Sequence, residues 1–116
     1  DGVRPLVSET VISNCMQSAE KIGAAIPTLP IHDSIRKISD NGSQITDRRK
    51  FVLVQTPQCF QSEVILKAYQ QEYQNSFTDD ASVVEQLGHN IYLEEGNKEN
   101  IKITTPEDLK IAEMLI

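Results

Sequence analysis

The chain has 116 residues with 11 Lys+Arg against 17 Asp+Glu, a net charge of −6. That length holds one domain, and with aromatics at 5% its core must be aliphatic. The acidic balance excludes a nonspecific nucleic-acid or anionic-membrane surface, so any anion must be caught by a few placed cations.

Asp1 to Val7 reads as a loop stiffened by Pro5. Ser8 is placed to cap a helix whose apolar stripe is Val11, Ile12, Cys15, Met16, Ala19 and Ile22, with Gly23 as its stop. Ala24 to Pro30 is short and apolar like a strand, and Pro27 and Pro30 predict an edge, a strand end or a bulge. Ile31 to Ile38 and Ser43 to Thr46 flank Ser39-Asp40-Asn41-Gly42, the pattern of a β-hairpin arm, and such a hairpin is marginally stable unless it packs on something else, such as a second copy of the chain. Asp47-Arg48-Arg49-Lys50 is the one basic run. Phe51-Val52-Leu53-Val54 behind it reads as a strand buried on both faces, ending at Gln55-Thr56-Pro57-Gln58. A helix capped by Ser62 is predicted from Glu63 to about Asn75, with Val64, Ile65 or Leu66, Ala68, Tyr69 and Tyr73 inward. A second starts at Thr78-Asp79-Asp80-Ala81-Ser82 and stops at Gly88. A strand at Asn90 to Leu93, a strand carrying Lys102 between Ile101 and Ile103, and a helix from Pro106 capped by Thr105 with Asp108 as its acidic partner complete the chain.

Alternating strands and amphipathic helices predict an α/β domain with a largely parallel sheet, whose functional residues gather at the carboxyl ends of strands. Asp1, Thr56, Thr78 and the Lys102 region fall near such ends. Cys15 and Cys59 lie in apolar segments without metal-ligand spacing and read as buried free thiols, which fits a reducing compartment. No apolar run reaches the length of a membrane span and no leader opens the chain, so the expectation is a soluble cytoplasmic protein, and the start at Asp1 suggests a piece of something longer. His32 and His89 lack partners for metal binding or acid-base work, and no nucleophile-histidine pattern appears. The chemistry these residues support is charge stabilisation on phosphate oxygens. Asp1 suits Mg²⁺, Arg4 suits a phosphate, and Lys102 is a lysine whose place on a strand asks for a reason. The bland readings are a surface Asp–Arg pair, a solvated basic patch at Arg48 and an edge lysine.

Five motifs together resemble the 2-C-methyl-D-erythritol 4-phosphate cytidylyltransferase family. They are Asp1-Gly2-Val3-Arg4-Pro5, Asp47-Arg48, Thr56-Pro57-Gln58, Thr78-Asp79-Asp80-Ala81-Ser82, and Asn100-Ile101-Lys102-Ile103-Thr104-Thr105-Pro106-Glu107-Asp108-Leu109. The resemblance runs from Asp1 to Ile116 and looks like the C-terminal half, a partial domain of a Rossmann-like nucleotidyltransferase sheet with flanking helices and a protruding hairpin arm at Ile31 to Arg48. It implies that the phosphate of methylerythritol phosphate attacks the α-phosphorus of CTP, assisted by Mg²⁺. On the matching positions Asp1 would lie near the metal and the substrate phosphates, with Arg4 and Thr56 at the methylerythritol phosphate and Thr78 nearby. Lys102 would orient the attacking phosphate, and Arg48 would act from the partner subunit of a homodimer joined through the arm. Ser34 stands where the family commonly has threonine.

Gly2-Val3 replaces a common Ala-Ala, and the glycine-rich loop that wraps the triphosphate has no counterpart among the five glycines. The expectation is therefore that this stretch does not catalyse the reaction alone. A ribitol-phosphate cytidylyltransferase and a noncatalytic α/β dimerisation module are the alternatives.

Overall fold

The computed structural model describes all 116 residues, Asp1–Ile116. Helix α1 (Glu9–Ile22) begins where the Ser8 hydroxyl accepts from Val11 N at 3.1 Å, and ends where Gly23 takes φ 107° and returns its N–H to Ala19 O at 2.7 Å. Val11, Cys15 and Ala19, four residues apart, turn into the core, while Met16 and Ile22 stay exposed.

Strand β1 (Ala24–Pro30) lies at the centre of the sheet; Pro30 stands at a strand end, one of the places expected for its prolines, whereas Pro27 is interior. Ala25 pairs with Cys59 on one side and Tyr92 on the other, and Thr28 with Val54 and Glu95. Strands β4 (Val52–Val54) and β5 (Cys59–Phe60) therefore run along one edge of β1, antiparallel to it, and β6 (Tyr92–Glu95) along the other, parallel. Pro27 is tolerated because its carbonyl accepts from Gln55 N at 2.9 Å, so its missing N–H faces the gap between β4 and β5 where no ladder bond is required.

The sheet is thus mixed, where a largely parallel one was expected. Only the β1–β6 link passes through helices, and the return from β1 to β4 goes through a hairpin, which permits an antiparallel neighbour. That hairpin joins β2 (Arg36–Ser39) to β3 (Gly42–Ile45) through Asp40 and Asn41, with the positive φ of 121° carried by Gly42. All eight of its strand residues are exposed, Ile38 and Ile45 at 85% and 73%.

α1 packs on β1, β5 and β6. Opposite it, α2 (Ser62–Ala68) and α3 (Asp80–Gln86) close a core of Ala24, Ala68, Val83 and Val84 with Phe60, Phe77 and Ile91 around it. α2 stops seven residues before the expected Asn75. The Gln71 amide bonds Ala68 O at 2.8 Å and Val83 O at 3.0 Å, satisfying the last carbonyl and tying the helix end to α3. Tyr69 and Tyr73 consequently lie outside, and Ser62 is the first helical residue instead of the cap. α3 starts within the predicted Thr78–Ser82 stretch, where Asp79 and Ser82 cap it reciprocally, and Gly88 follows it at φ 92°.

Two expectations fail at β4 and Lys102. Val52, Leu53 and Val54 are 41–54% exposed, because β4 is terminal in the sheet and neither helix layer covers it. Asn100 to Thr104 forms no strand, since its only N–H bond to the backbone of another segment is Ile103 N to Val3 O at 2.8 Å. Alternation survives there without a sheet. Ile101 and Ile103 are half-buried and Lys102 is exposed.

Helix α4 (Pro106–Leu115) starts at the predicted box. Thr105 Oγ1 accepts from Asp108 N at 3.2 Å, and Asp108 Oδ2 accepts from Thr104 N, Thr105 N and Thr104 Oγ1 at 3.0–3.1 Å. Hydrogen bonds from the Thr104 backbone, then from the Thr105 and Thr104 side chains, hold its carboxyl below the usual aspartate range. A depressed folded pKa adds stability that is fully present above the unfolded value of about 3.9 and is lost as pH falls through the folded one. Asp108→Asn should therefore melt below wild type at pH 7, with the gap narrowing below about pH 3.9. Thermal melts by circular dichroism at pH 7 and at about pH 2, well below the unfolded value, check it, and a constant gap would disprove the charge's part.

Candidate active site

The N-terminal loop is folded over the end of β4 by its own polar groups. Asp1 Oδ1 accepts from Val3 N at 3.2 Å, Asp1 O accepts from Arg4 N at 3.2 Å, and Asp1 Oδ2 accepts from Thr56 Oγ1 at 2.9 Å. Arg4 reaches across to donate to Asn100 O at 2.6 Å and Val54 O at 3.4 Å. Partial burial draws its pKa down from the ordinary arginine value, yet a guanidinium stays charged, and its remaining N–H donors are open to a phosphate. With Val3 O bonded to Ile103 N, the loop, the Thr56 turn and the Lys102 segment meet in one place. Asp1, Arg4, Thr56 and Pro57 line a hollow of about 150 Å³ there. Lys102 is exposed and makes no ion pair within the chain, and its neighbour Ile103 ties its segment to the loop.

Gln58 extends the cluster. Its amide donates to Asp79 Oδ2 at 2.9 Å and accepts from Ala81 N at 3.0 Å, fastening the Thr56-Pro57-Gln58 turn to the start of α3. Thr78 and Asp79 then line a second cleft of about 730 Å³ with Ile26, Val54 and His89. Ser34 and Arg48 are brought together elsewhere, in a hollow of about 260 Å³ at the base of the hairpin. Asp47 is engaged there by Arg49 at 3.0 and 3.1 Å, and that contact lowers its pKa. Arg48 bonds only His32 O, at 2.8 Å, so its charge is left unneutralised. Four of the five motifs therefore converge within one chain, and the Asp47-Arg48 motif stands apart.

A divalent metal fits Asp1 on its donor chemistry. Each carboxylate oxygen carries one hydrogen bond and keeps lone-pair capacity, the residue is exposed, and Mg²⁺ commonly takes one or two carboxylates, with water and substrate phosphates filling its other positions. No cluster of three His, Cys, Asp or Glu exists that would cage an ion unaided. The groove of about 660 Å³ between α1 and β5 does not suit phosphate, as Glu9 and Glu20 line it and no cation does. Both cysteines near it are free. Burial, then the neighbouring Cys59, pushes the Cys15 thiol up to about 11, far from a reactive thiolate.

The sequence matches, over residues 1–116, the family model described as IspD, 2-C-methyl-D-erythritol 4-phosphate cytidylyltransferase. The chain belongs to that family. The cytidylyltransferase of this name from Phocaeicola vulgatus is 51% identical over 116 residues, covering all of this chain and 53% of that protein. The one from Porphyromonas gingivalis is 48% identical over 117 residues, also covering 53% of its length. The crystal structure of the Thermus thermophilus cytidylyltransferase superposes with a TM-score of 0.84 at 34% identity, over 97% of this chain and 57% of that one. For the Anaerococcus prevotii 4-diphosphocytidyl-2C-methyl-D-erythritol synthase the TM-score is 0.87 at 30% identity, over 99% and 53%. The chain spans about half the length of the curated cytidylyltransferases it matches. No helix in it is long and apolar enough to cross a membrane.

Sequence reading missed the amides that hold the site together. Gln55 and Asn100 are buried and bonded to each other, and Asn97 bonds Ser8 N and Leu6 O to anchor the loop from behind. The only signal was polar residues at the edge of apolar runs, which turns share, so nothing local distinguished them.

Proposed function

We propose that the full-length protein transfers the cytidylyl group of CTP to 2-C-methyl-D-erythritol 4-phosphate, and that this chain is the C-terminal half, a single partial domain carrying the polyol-phosphate side of the site. The convergence of Asp1, Arg4 and Thr56 with the Lys102 segment carries the reading. Arg4, the Thr56 hydroxyl and Lys102 are suited to phosphate and Asp1 to its counter-ion, and their segments meet at the end of a strand. Family membership supplies the reaction class. With no phosphate-cradling run among its five glycines, the chain leaves the triphosphate to the remainder of a protein about twice its length.

Arg4 and the Thr56 hydroxyl hold the polyol phosphate, with Thr78 at its periphery, and Ser34 comes to it beside Arg48 on the partner subunit's arm. One of its oxygens attacks the α-phosphorus of CTP, a P–O bond forms, the bond to the bridging oxygen breaks, and pyrophosphate leaves. Lys102 orients the attacking phosphate and offsets the charge growing on the α-phosphoryl oxygens. Arg48 does the same from the partner subunit of a homodimer whose contact is the Ile31–Arg48 arm. Asp1 would hold Mg²⁺, and the chemistry such an ion would supply is neutralisation of the nucleotide phosphates.

The test is pyrophosphate release by the full-length protein given CTP, Mg²⁺ and each polyol phosphate. Release with methylerythritol phosphate is expected. Release only with ribitol 5-phosphate would move the assignment to that substrate, and none with either would leave the dimerisation module.

A further inference from the structure

The three phosphate-facing groups share one buried anchor. Asn100 is fully buried, and both its halves are engaged. Its carbonyl accepts from Arg4 Nη1 at 2.6 Å and from Gln55 Nε2 at 3.3 Å, while its side-chain amide donates to Thr56 O at 2.8 Å and Gln55 Oε1 at 3.3 Å. Lys102 follows two residues later, within about 7 Å along an extended chain. Moving Asn100 therefore moves Lys102, Arg4 and Thr56 relative to one another.

One acceptor of this residue finds no partner within the chain. Asn100 Oδ1 is buried without a partner, and an orphaned acceptor weakens the fold. The amide cannot turn over to relieve it, because that would set Oδ1 against the carbonyl of Thr56. Gln55 is fixed just as closely, donating to Asn97 O at 3.0 Å and lying so near Gly96 that a Cβ there would collide with its Oε1.

We propose that Asn100 is a positioning residue, which sets the spacing of Lys102 against Arg4 and Thr56 through its bonds to Arg4, Thr56 and Gln55. This rests on the assignment of Lys102 to charge stabilisation in cytidylyl transfer. Misplacing a catalytic group by about 1 Å can cost about 100-fold, and the loss falls on the chemical step because CTP is held chiefly elsewhere.

The experiment is a double-mutant cycle in the full-length protein, with kcat, both KM values and urea stability measured for Asn100→Ala, Lys102→Ala and the pair. Asn100→Ala should lower kcat by about 10–100-fold with the KM for CTP nearly unchanged, and the pair should be no slower than Lys102→Ala alone. Multiplying losses would overturn the proposal, as would a loss that disappears once activity is expressed per folded molecule. An unchanged kcat in Lys102→Ala overturns both the proposal and the assignment beneath it, whereas an impaired Lys102→Ala with multiplying losses overturns the proposal alone. Gly96→Ala, which displaces Gln55 from the other side, gives a second cycle with Lys102→Ala that decides the matter if Asn100→Ala does not fold.

Discussion

Replacing Lys102 by alanine in the full-length protein should lower kcat by about 10²–10³-fold while changing the KM for CTP little. The split follows from where the lysine is. It is exposed, carries no partner in the chain and stands on a segment tied to the Arg4 loop. A cation left free in the resting state attracts charge that develops during reaction more than charge already held by other groups. The outcome that sinks the role is kcat at the wild-type level, and a rise in KM alone would reassign Lys102 to substrate binding.

Arg48 offers the second large effect. Within one chain it shares a hollow with Ser34 at the hairpin base, and no contact connects it to Asp1, Arg4 or Thr56. If it works on the partner's site, Arg48→Ala and Lys102→Ala homodimers should each be slow, yet mixing them should recover activity. A heterodimer pairs the intact Lys102 of one subunit with the intact Arg48 of the other at one of its two sites. Equal mixing with random exchange then gives about one quarter of wild-type activity. Absence of recovery after exchange has been verified by mass spectrometry would count against a shared site. The unneutralised charge of Arg48 favours the idea, since Asp47 is already occupied by Arg49.

What the sequence made legible was mostly short-range. Ser8, Gly23, Asp79 and Thr105 act through groups within four residues, so their caps could be read directly and are present. The helix end at Ala68 was not legible, because it depends on Gln71 reaching Val83, twelve positions away. Pro27 was judged by its missing N–H, but whether that matters depends on a gap in the opposing strand that only the fold reveals. Alternation alone puts Lys102 on a strand, and alternation is a property of extended backbone with or without a ladder partner. The amide pair of Gln55 and Asn100, 45 positions apart, has no local signature at all.

The uncovered state of β4 has a colloidal consequence. Val52, Leu53 and Val54 present three apolar side chains in succession along a rim that has no second strand neighbour and whose one side-chain partner is Arg4, at Val54 O. Protective charges come only before the strand, at Arg48 to Lys50, and no lysine or proline interrupts it. Such a rim is a template for adding foreign strands. This chain handled by itself would thus be sticky in proportion to its concentration, through sheets joined edge to edge at β4 with the hairpin playing no part. Solution studies of assembly need a way to tell those two seams apart, and a charge placed at Leu53 would silence one of them while leaving the arm untouched.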